Sequence, residues 1–217
     1  MKGPAPGSPH HDIEVLRRGT PKGQARAAMI MIHGRGATAA GILDLSGELE
    51  QGGFVFLAPQ AEGNTWYPTT FLAPRRQNEP WLGGALVAID KVVRSCRDEG
   101  VPLERTILLG FSQGACLALE YAARNPRSYG GVVGLSGGLI GDALAPSDYS
   151  GDLSGSVVFL GCSDDDPHIP RERVSLSAEI LRNLGAEVML NFYSDMGHTI
   201  IDDEIVFVRK MMRSLAA

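Results

Sequence analysis

The stretch Thr106-Ile-Leu-Leu-Gly-Phe-Ser-Gln-Gly-Ala-Cys-Leu-Ala-Leu119 decides the fold. Its opening, Thr106 to Leu109, is a short unbroken apolar run, the pattern of a strand buried on both faces. From Gln113 onward small and apolar residues continue long enough for a buried helix. Between them Gly110-Phe111-Ser112-Gln113-Gly114 fits Gly-x-Ser-x-Gly, in which a serine sits on a sharp strand-to-helix turn. Small residues two before and two after it relieve the crowding of such a turn. The pattern alone is weak: with 27 Gly and 15 Ser in 217 residues, chance supplies roughly 0.2 matches. A second match does occur, Gly134-Leu135-Ser136-Gly137-Gly138. Gly137, Gly138, Gly141 and Pro146 make a poor helix beyond it, so Ser136 reads as a turn residue near the site.

Outward from this stretch the chain alternates short apolar runs with longer helical patterns. Strands are expected at Ala28–Ile32, Phe54–Leu57, Thr106–Leu109, Gly131–Leu135, Val157–Leu160 and Val188–Tyr193. Helices are expected at Ala40–Gln51, Pro80–Glu99, Gln113–Arg124, Arg171–Leu184 and Asp202–Leu215. In the second of these Leu82, Leu86, Ile89, Val93 and Cys96 recur at spacings of three and four, forming one apolar stripe. The alternation specifies an α/β fold with a doubly covered, mainly parallel sheet. Ligands of such sheets bind at the carboxyl ends of the strands. A chain of 217 residues makes a single domain, expected over residues 13–217, behind a flexible N-terminus at residues 1–12 that is rich in Pro and Gly.

Composition excludes several classes. A formal charge of −5 argues against nucleic acid or an anionic membrane as the main partner. The longest apolar run, Ala27 to Ile32, is far below the roughly 18 residues needed to span a bilayer, so no stable membrane insertion is expected. The N-terminus lacks the apolar core of a signal peptide. Three scattered cysteines, Cys96, Cys116 and Cys162, form neither a disulfide framework nor a metal-ligand spacing, which fits a reducing cytoplasm. Glycine stands out at 27 of 217 residues, about 12% against a usual ~7%, in keeping with tight turns around a site.

A serine hydroxyl needs a histidine base, itself oriented by a carboxylate. On a sheet of this kind the chain order is serine, acid, histidine. After Ser112 only His168 and His198 remain. His198 follows the last strand and precedes a helix, which sets it at the carboxyl edge, and it is the expected base. His168 lies in Ser163-Asp-Asp-Asp-Pro-His-Ile-Pro170, the loop that should supply the acid, and reads as a rim residue. Of Asp164, Asp165 and Asp166, the last is followed by Pro167, which stiffens the backbone directly after it. Asp166 is therefore the expected acid. Two backbone N–H groups must face the developing oxyanion. One belongs to Gln113, the residue after the nucleophile, and the other is expected from Arg35 in His33-Gly34-Arg35-Gly36, just past an early strand.

With these residues in place the chain resembles the phospholipase/carboxylesterase family of the α/β-hydrolase fold, which includes acyl-protein thioesterases, lysophospholipases and small bacterial carboxylesterases. The resemblance runs from about Met29 to the C-terminal helix. It rests on His33-Gly34-Arg35-Gly36, Ala58-Pro59-Gln60, Asn64-Thr65-Trp66-Tyr67, Gly110 to Ala115, Leu135-Ser136-Gly137, Asp166-Pro167-His168-Ile169-Pro170 and Gly197-His198. It carries a catalytic triad onto Ser112, Asp166 and His198, and implies no cofactor. The thioesterase branch usually reads His-Gly-Leu-Gly-Asp where this chain has His33 to Ala37. Arg35 and Ala37 thus make small bacterial carboxylesterases the nearer likeness.

The segment Gln60 to Pro80 is long for a loop, which points to function. Its Trp66, Tyr67, Phe71 and Leu72 either line a substrate pocket or pin the loop to the body; Ile169 joins them as a pocket candidate from the acid-bearing loop. No stretch is long enough for a helical lid domain. The expected activity is carboxylic-ester hydrolysis through an acyl-enzyme, with a small-molecule ester or thioester as partner. Thioester hydrolysis on the same triad and a non-catalytic binding protein on the same fold are the alternatives. A metal site of Asp164, Asp166, His168 and His198 matches no familiar ligand spacing, so no metal is expected. A homodimer is left open.

Overall fold

A computed structural model describes residues 8–49 and 52–216 of the chain. Its strands are β1 (Val15–Gly19), β2 (Ala27–Ile32), β3 (Phe54–Pro59), β4 (Thr106–Phe111), β5 (Gly131–Leu135), β6 (Val157–Ser163) and β7 (Glu187–Tyr193). They form one sheet in the order β1-β3-β2-β4-β5-β6-β7. β1 runs antiparallel to β3, and the other neighbours pair in parallel.

The unbroken apolar runs are buried on both faces because the strand pleat deals alternate residues to two cores. Along β2, Ala28, Ile30 and Ile32 join the core that also takes in helices α3 (Trp81–Asp98), α4 (Gln113–Arg124) and α5 (Arg171–Asn183). Ala27, Met29 and Met31 face α1 (Ala39–Asp44) and α6 (Asp202–Ala216) on the other side. The α3 stripe of Leu82, Leu86, Ile89, Val93 and Cys96 is buried as its spacing requires. The doubly covered, mainly parallel sheet is the architecture expected from the sequence, and it is that of an α/β-hydrolase. Among the described residues no helix is long and apolar enough to cross a membrane.

Three local expectations are corrected. β1, Val-Leu-Arg-Arg-Gly, was not expected: it is an exposed edge strand whose charged residues conceal its period. Arg17 and Arg18 pair with Glu99 and Asp44, the kind of charged edge that discourages pairing with another chain. The helix expected over Ala40–Gln51 ends at Asp44 and tightens into a 3₁₀ turn at Leu45–Gly47; residues 50 and 51 lie outside the described residues. The segment Gln60–Pro80 carries a short helix of its own, α2 (Arg75–Asn78). Within the N-terminal segment expected to be flexible, Ser8–Asp12 are described. There His10 is 1% exposed between the rings of Trp66 and Trp81, hydrogen-bonded to the Trp66 carbonyl and the Glu62 amide. Residues 1–7 lie outside the described residues.

From β2 the chain first adds β3 on one side and later β4 on the other. Strand order therefore reverses between β2 and β4, and open α/β sheets bind ligands at the carboxyl ends beside such a point. His33–Gly36 leaves β2 there, and Ser112 leaves β4 beside it.

Candidate active site

Ser112 joins β4 to α4 with φ 55° and ψ −119°, a backbone that an L-residue rarely adopts. Its amide donates to the Leu135 carbonyl at 2.9 Å, which ties the turn to β5. The flanking glycines are required by space. A Cβ on Gly110 would lie 2.1 Å from the Gly114 carbonyl oxygen, and one on Gly114 would lie 2.0 Å from the Ile32 carbonyl oxygen. Ser136 shares the positive φ, at 53°. It is fully buried, no helix opens directly after it, and its hydroxyl makes no hydrogen bond to His198.

His198 reaches Ser112 from a turn after β7 in which Asp195 and Gly197 take positive φ. Its Nε2 lies 2.9 Å from Ser112 Oγ, and its Nδ1 lies 2.7 Å from Asp166 Oδ2. The other Asp166 oxygen accepts the amides of His168 at 2.8 Å and Ile169 at 3.1 Å. The turn after Asp166-Pro167 thus fixes one carboxylate oxygen and leaves the other to face the imidazole, with the Cys162 thiol donating weakly to it at 3.9 Å. Asp164 accepts from the Ser194 hydroxyl and Asp165 from the Ser163 hydroxyl, so neither faces His198. His168 packs edge-on against His198 with ring centres 5.0 Å apart. With the His198 proton on Nδ1, facing the carboxylate, Nε2 is left to accept the serine proton.

Gln113 directly follows Ser112 in the chain, and Arg35 lies in the loop after β2. A Cβ on Gly34 would stand 3.4 Å from Ser112 Cβ, so the loop after β2 lies directly on the elbow. Gln113 N–H opens α4. Among the described residues neither of these two amides has an acceptor within the protein. Buried His33 braces the loop: Nδ1–H donates to the Gly34 carbonyl at 2.8 Å, and Nε2 accepts from the Ala61 amide at 3.0 Å. Both bonds suit a neutral ring, and burial holds the His33 pKa below its usual value.

Their side chains have a task that the sequence reading missed. Gln113 accepts from the Trp66 amide at 2.9 Å and donates to the Tyr67 carbonyl at 2.8 Å. The Arg35 guanidinium donates to the carbonyls of Tyr67, Pro68 and Thr69. Buried Asn78 holds the same strap further on, accepting the Thr69 amide and hydroxyl and donating to the Thr70 carbonyl. One residue type hinted at this: a buried amide side chain in an otherwise apolar helix needs partners.

The strap walls a cavity of about 630 Å³ over Ser112. Of the expected pocket residues, Tyr67, Phe71 and Ile169 line it. Trp66 and Leu72 do not. Trp66 is fully buried behind the wall with its indole N–H on the His33 carbonyl, and Leu72 packs on the main core. Cys116, which read as a simple core residue, reaches the cavity wall beside Tyr67. Burial pushes its thiol up to about 12, which keeps it a neutral wall and no nucleophile. Among the described residues no three His, Cys, Asp or Glu side chains converge as metal ligands.

The phospholipase/carboxylesterase family matches residues 19–216. The chain belongs to that family. It is a hydrolase of the α/β-hydrolase fold, of the esterase or thioesterase kind. A phospholipase/carboxylesterase from Dyadobacter fermentans is 42% identical, superposes with a TM-score of 0.90, and shares 93% of this chain and 97% of its own. Acyl-protein thioesterase 1 of Saccharomyces cerevisiae is 28% identical over 88% of this chain and 95% of that protein. Acyl-protein thioesterase 1 of Gibberella zeae is 34% identical over 121 residues, a span of 54% of this chain and half of that relative's length.

Proposed function

We propose that the protein is a serine carboxylic-ester hydrolase acting through an acyl-enzyme. One observation carries this: Ser112 Oγ, His198 and Asp166 form a continuous hydrogen-bonded relay at 2.9 and 2.7 Å, at the mouth of a cavity. His198 Nε2 takes the Ser112 proton as Oγ bonds to the ester carbonyl carbon. The carbonyl oxygen becomes an oxyanion facing the Arg35 and Gln113 amides. Collapse breaks the bond to the alcohol oxygen, which leaves with the proton from His198. Water then repeats the sequence against the acyl-enzyme, releasing the acid and restoring Ser112. Asp166 keeps the imidazole in the tautomer that accepts from serine and stabilises it once protonated.

The test is to mix the protein with 4-nitrophenyl acetate, quench, and map the acetyl group by mass spectrometry. The acetyl is expected on Ser112, and Ser112→Ala should neither acetylate nor turn over. Unimpaired turnover by Ser112→Ala would refute the proposal.

A thioesterase is the second reading, favoured by the names of the yeast and Gibberella zeae relatives. Arg35 and Ala37 in the loop after β2 favour the oxygen ester. Matched octanoyl oxygen ester and thioester, compared by kcat/KM after correction for their alkaline hydrolysis rates, separate the two.

A further inference from the structure

Among the described residues Arg35 is the one Asp, Glu, Lys or Arg that lines the cavity over Ser112. It is held by the carbonyl oxygens of Tyr67, Pro68 and Thr69 at 2.9, 3.1 and 2.5 Å. Arg173 stands behind Phe71, its guanidinium 5.8 Å from that ring's centre. It donates to the carbonyls of Leu139, Gly141 and Asp142 at 3.1, 2.5 and 3.0 Å. Arg17, Arg18, Arg75, Arg94 and Arg124 are each paired with a carboxylate. Among the described residues Arg35 and Arg173 form no such pair, and Asp142 and Glu120 act on Arg173 only from longer range. Glu120 is moreover claimed by Arg75 and Arg124. Carbonyl dipoles fix a guanidinium in place without cancelling its charge.

Among the described residues no Asp or Glu lines the cavity. Asp166 is turned away from it, one oxygen on His198 and the other on two amides. In a chain of net charge −5 this is a positive recess on an acidic molecule. Among the described residues the Arg35 Nε–H and one Nη1–H have no acceptor in the protein. The Thr70 hydroxyl, which accepts from the Leu72 amide, keeps its proton to donate into the same space.

Ester chemistry decides which half of a substrate meets these groups. His198 must protonate the leaving oxygen, so the alcohol half lies on the side of His198 and His168. The acyl half then extends the other way, along the Tyr67–Phe71 strap, where Arg35 stands and Arg173 backs Phe71. We propose that the site prefers acyl groups ending in an anion, as in the half-esters of dicarboxylic acids. This rests on Ser112 being the acylated nucleophile.

The test compares mono-4-nitrophenyl adipate with methyl 4-nitrophenyl adipate, which share leaving group and chain and differ in the distal carboxylate. At about pH 8 and low ionic strength the anionic ester should have the larger kcat/KM by at least about tenfold, or ~1.4 kcal/mol. The ratio should shrink toward one in about 1 M salt, where screening acts within ~3 Å. Arg35→Gln and Arg173→Gln should each lower the ratio at least about threefold; using the ratio removes any loss common to both esters. A neutral ester cleaved as well as the anionic one, or a ratio unmoved by both substitutions and by salt, overturns the proposal. So does cleavage of 4-nitrophenyl acetate with neither adipate turned over, an outcome that leaves the serine-esterase reading standing. Failure on the acetate as well removes both.

Discussion

Asp166→Asn has an outcome that the local geometry dictates. In the native site Oδ1 is bound by the amides of His168 and Ile169, and Oδ2 faces His198 Nδ1. Asparagine has one oxygen and one NH₂. The two backbone donors can only be satisfied by the oxygen, so the NH₂ is driven toward His198. Nδ1 must then accept, the ring proton moves to Nε2, and the imidazole can no longer take the proton of Ser112. In a serine protease the same exchange lowers kcat about 10⁴-fold, roughly 5 kcal/mol in barrier. Activated esters need less help from the base, so a loss of at least about 10²-fold is expected here, ~2.7 kcal/mol. Asp164→Asn and Asp165→Asn disturb only hydrogen bonds to Ser194 and Ser163, and should stay within about tenfold of wild type. The assay is turnover of 4-nitrophenyl acetate by the three purified variants, with folding checked by circular dichroism. Near-native Asp166→Asn beside a collapsed neighbour would refute the assignment of the acid.

Gly114→Ala places a methyl group 2.0 Å from the Ile32 carbonyl oxygen, so it should destabilise by about 2–4 kcal/mol or prevent folding, whereas Gly47→Ala, with no atom within 4 Å, should leave the urea midpoint almost unchanged. Glu204 is buried under Gly161 with only one of its oxygens bonded, and burial raises its pKa from 4.5 to about 7. Because the folded form holds this proton more tightly, its stability contribution is full below about pH 4.5 and is lost as the pH rises through about 7. Glu204→Gln should therefore gain stability over wild type across that window, by up to about 3 kcal/mol at pH 8; urea titrations giving a pH-independent difference would contradict this.

The sequence made the sheet legible wherever a strand is covered on both sides, because an unbroken apolar run of four to six residues has few other uses. Thr106–Leu109 and Gly131–Leu135 are such runs, and both lie within observed strands. β1 escaped because an edge strand needs charge more than apolarity, and Arg17 and Arg18 carry that charge. The residues around Ser112 could be anticipated because elbow, loop and strand-end position each constrain one residue type. The pocket wall could not. Trp66 and Tyr67 are adjacent aromatics in one segment, yet one is locked behind the wall by His33 and Gln113 while the other lines the cavity. That division depends on side-chain hydrogen bonds spanning more than thirty residues, and no local pattern records them. The grip of Arg35 on three consecutive carbonyls is of the same long-range kind.

The most direct test of the central claim is labelling with a fluorophosphonate, which reacts only with a serine made nucleophilic by a neighbouring base. Intact-mass and peptide analysis should find one adduct, on Ser112, absent from Ser112→Ala and strongly slowed in His198→Ala. Labelling of Ser136, or an enzyme that hydrolyses esters while remaining unlabelled, would contradict the account.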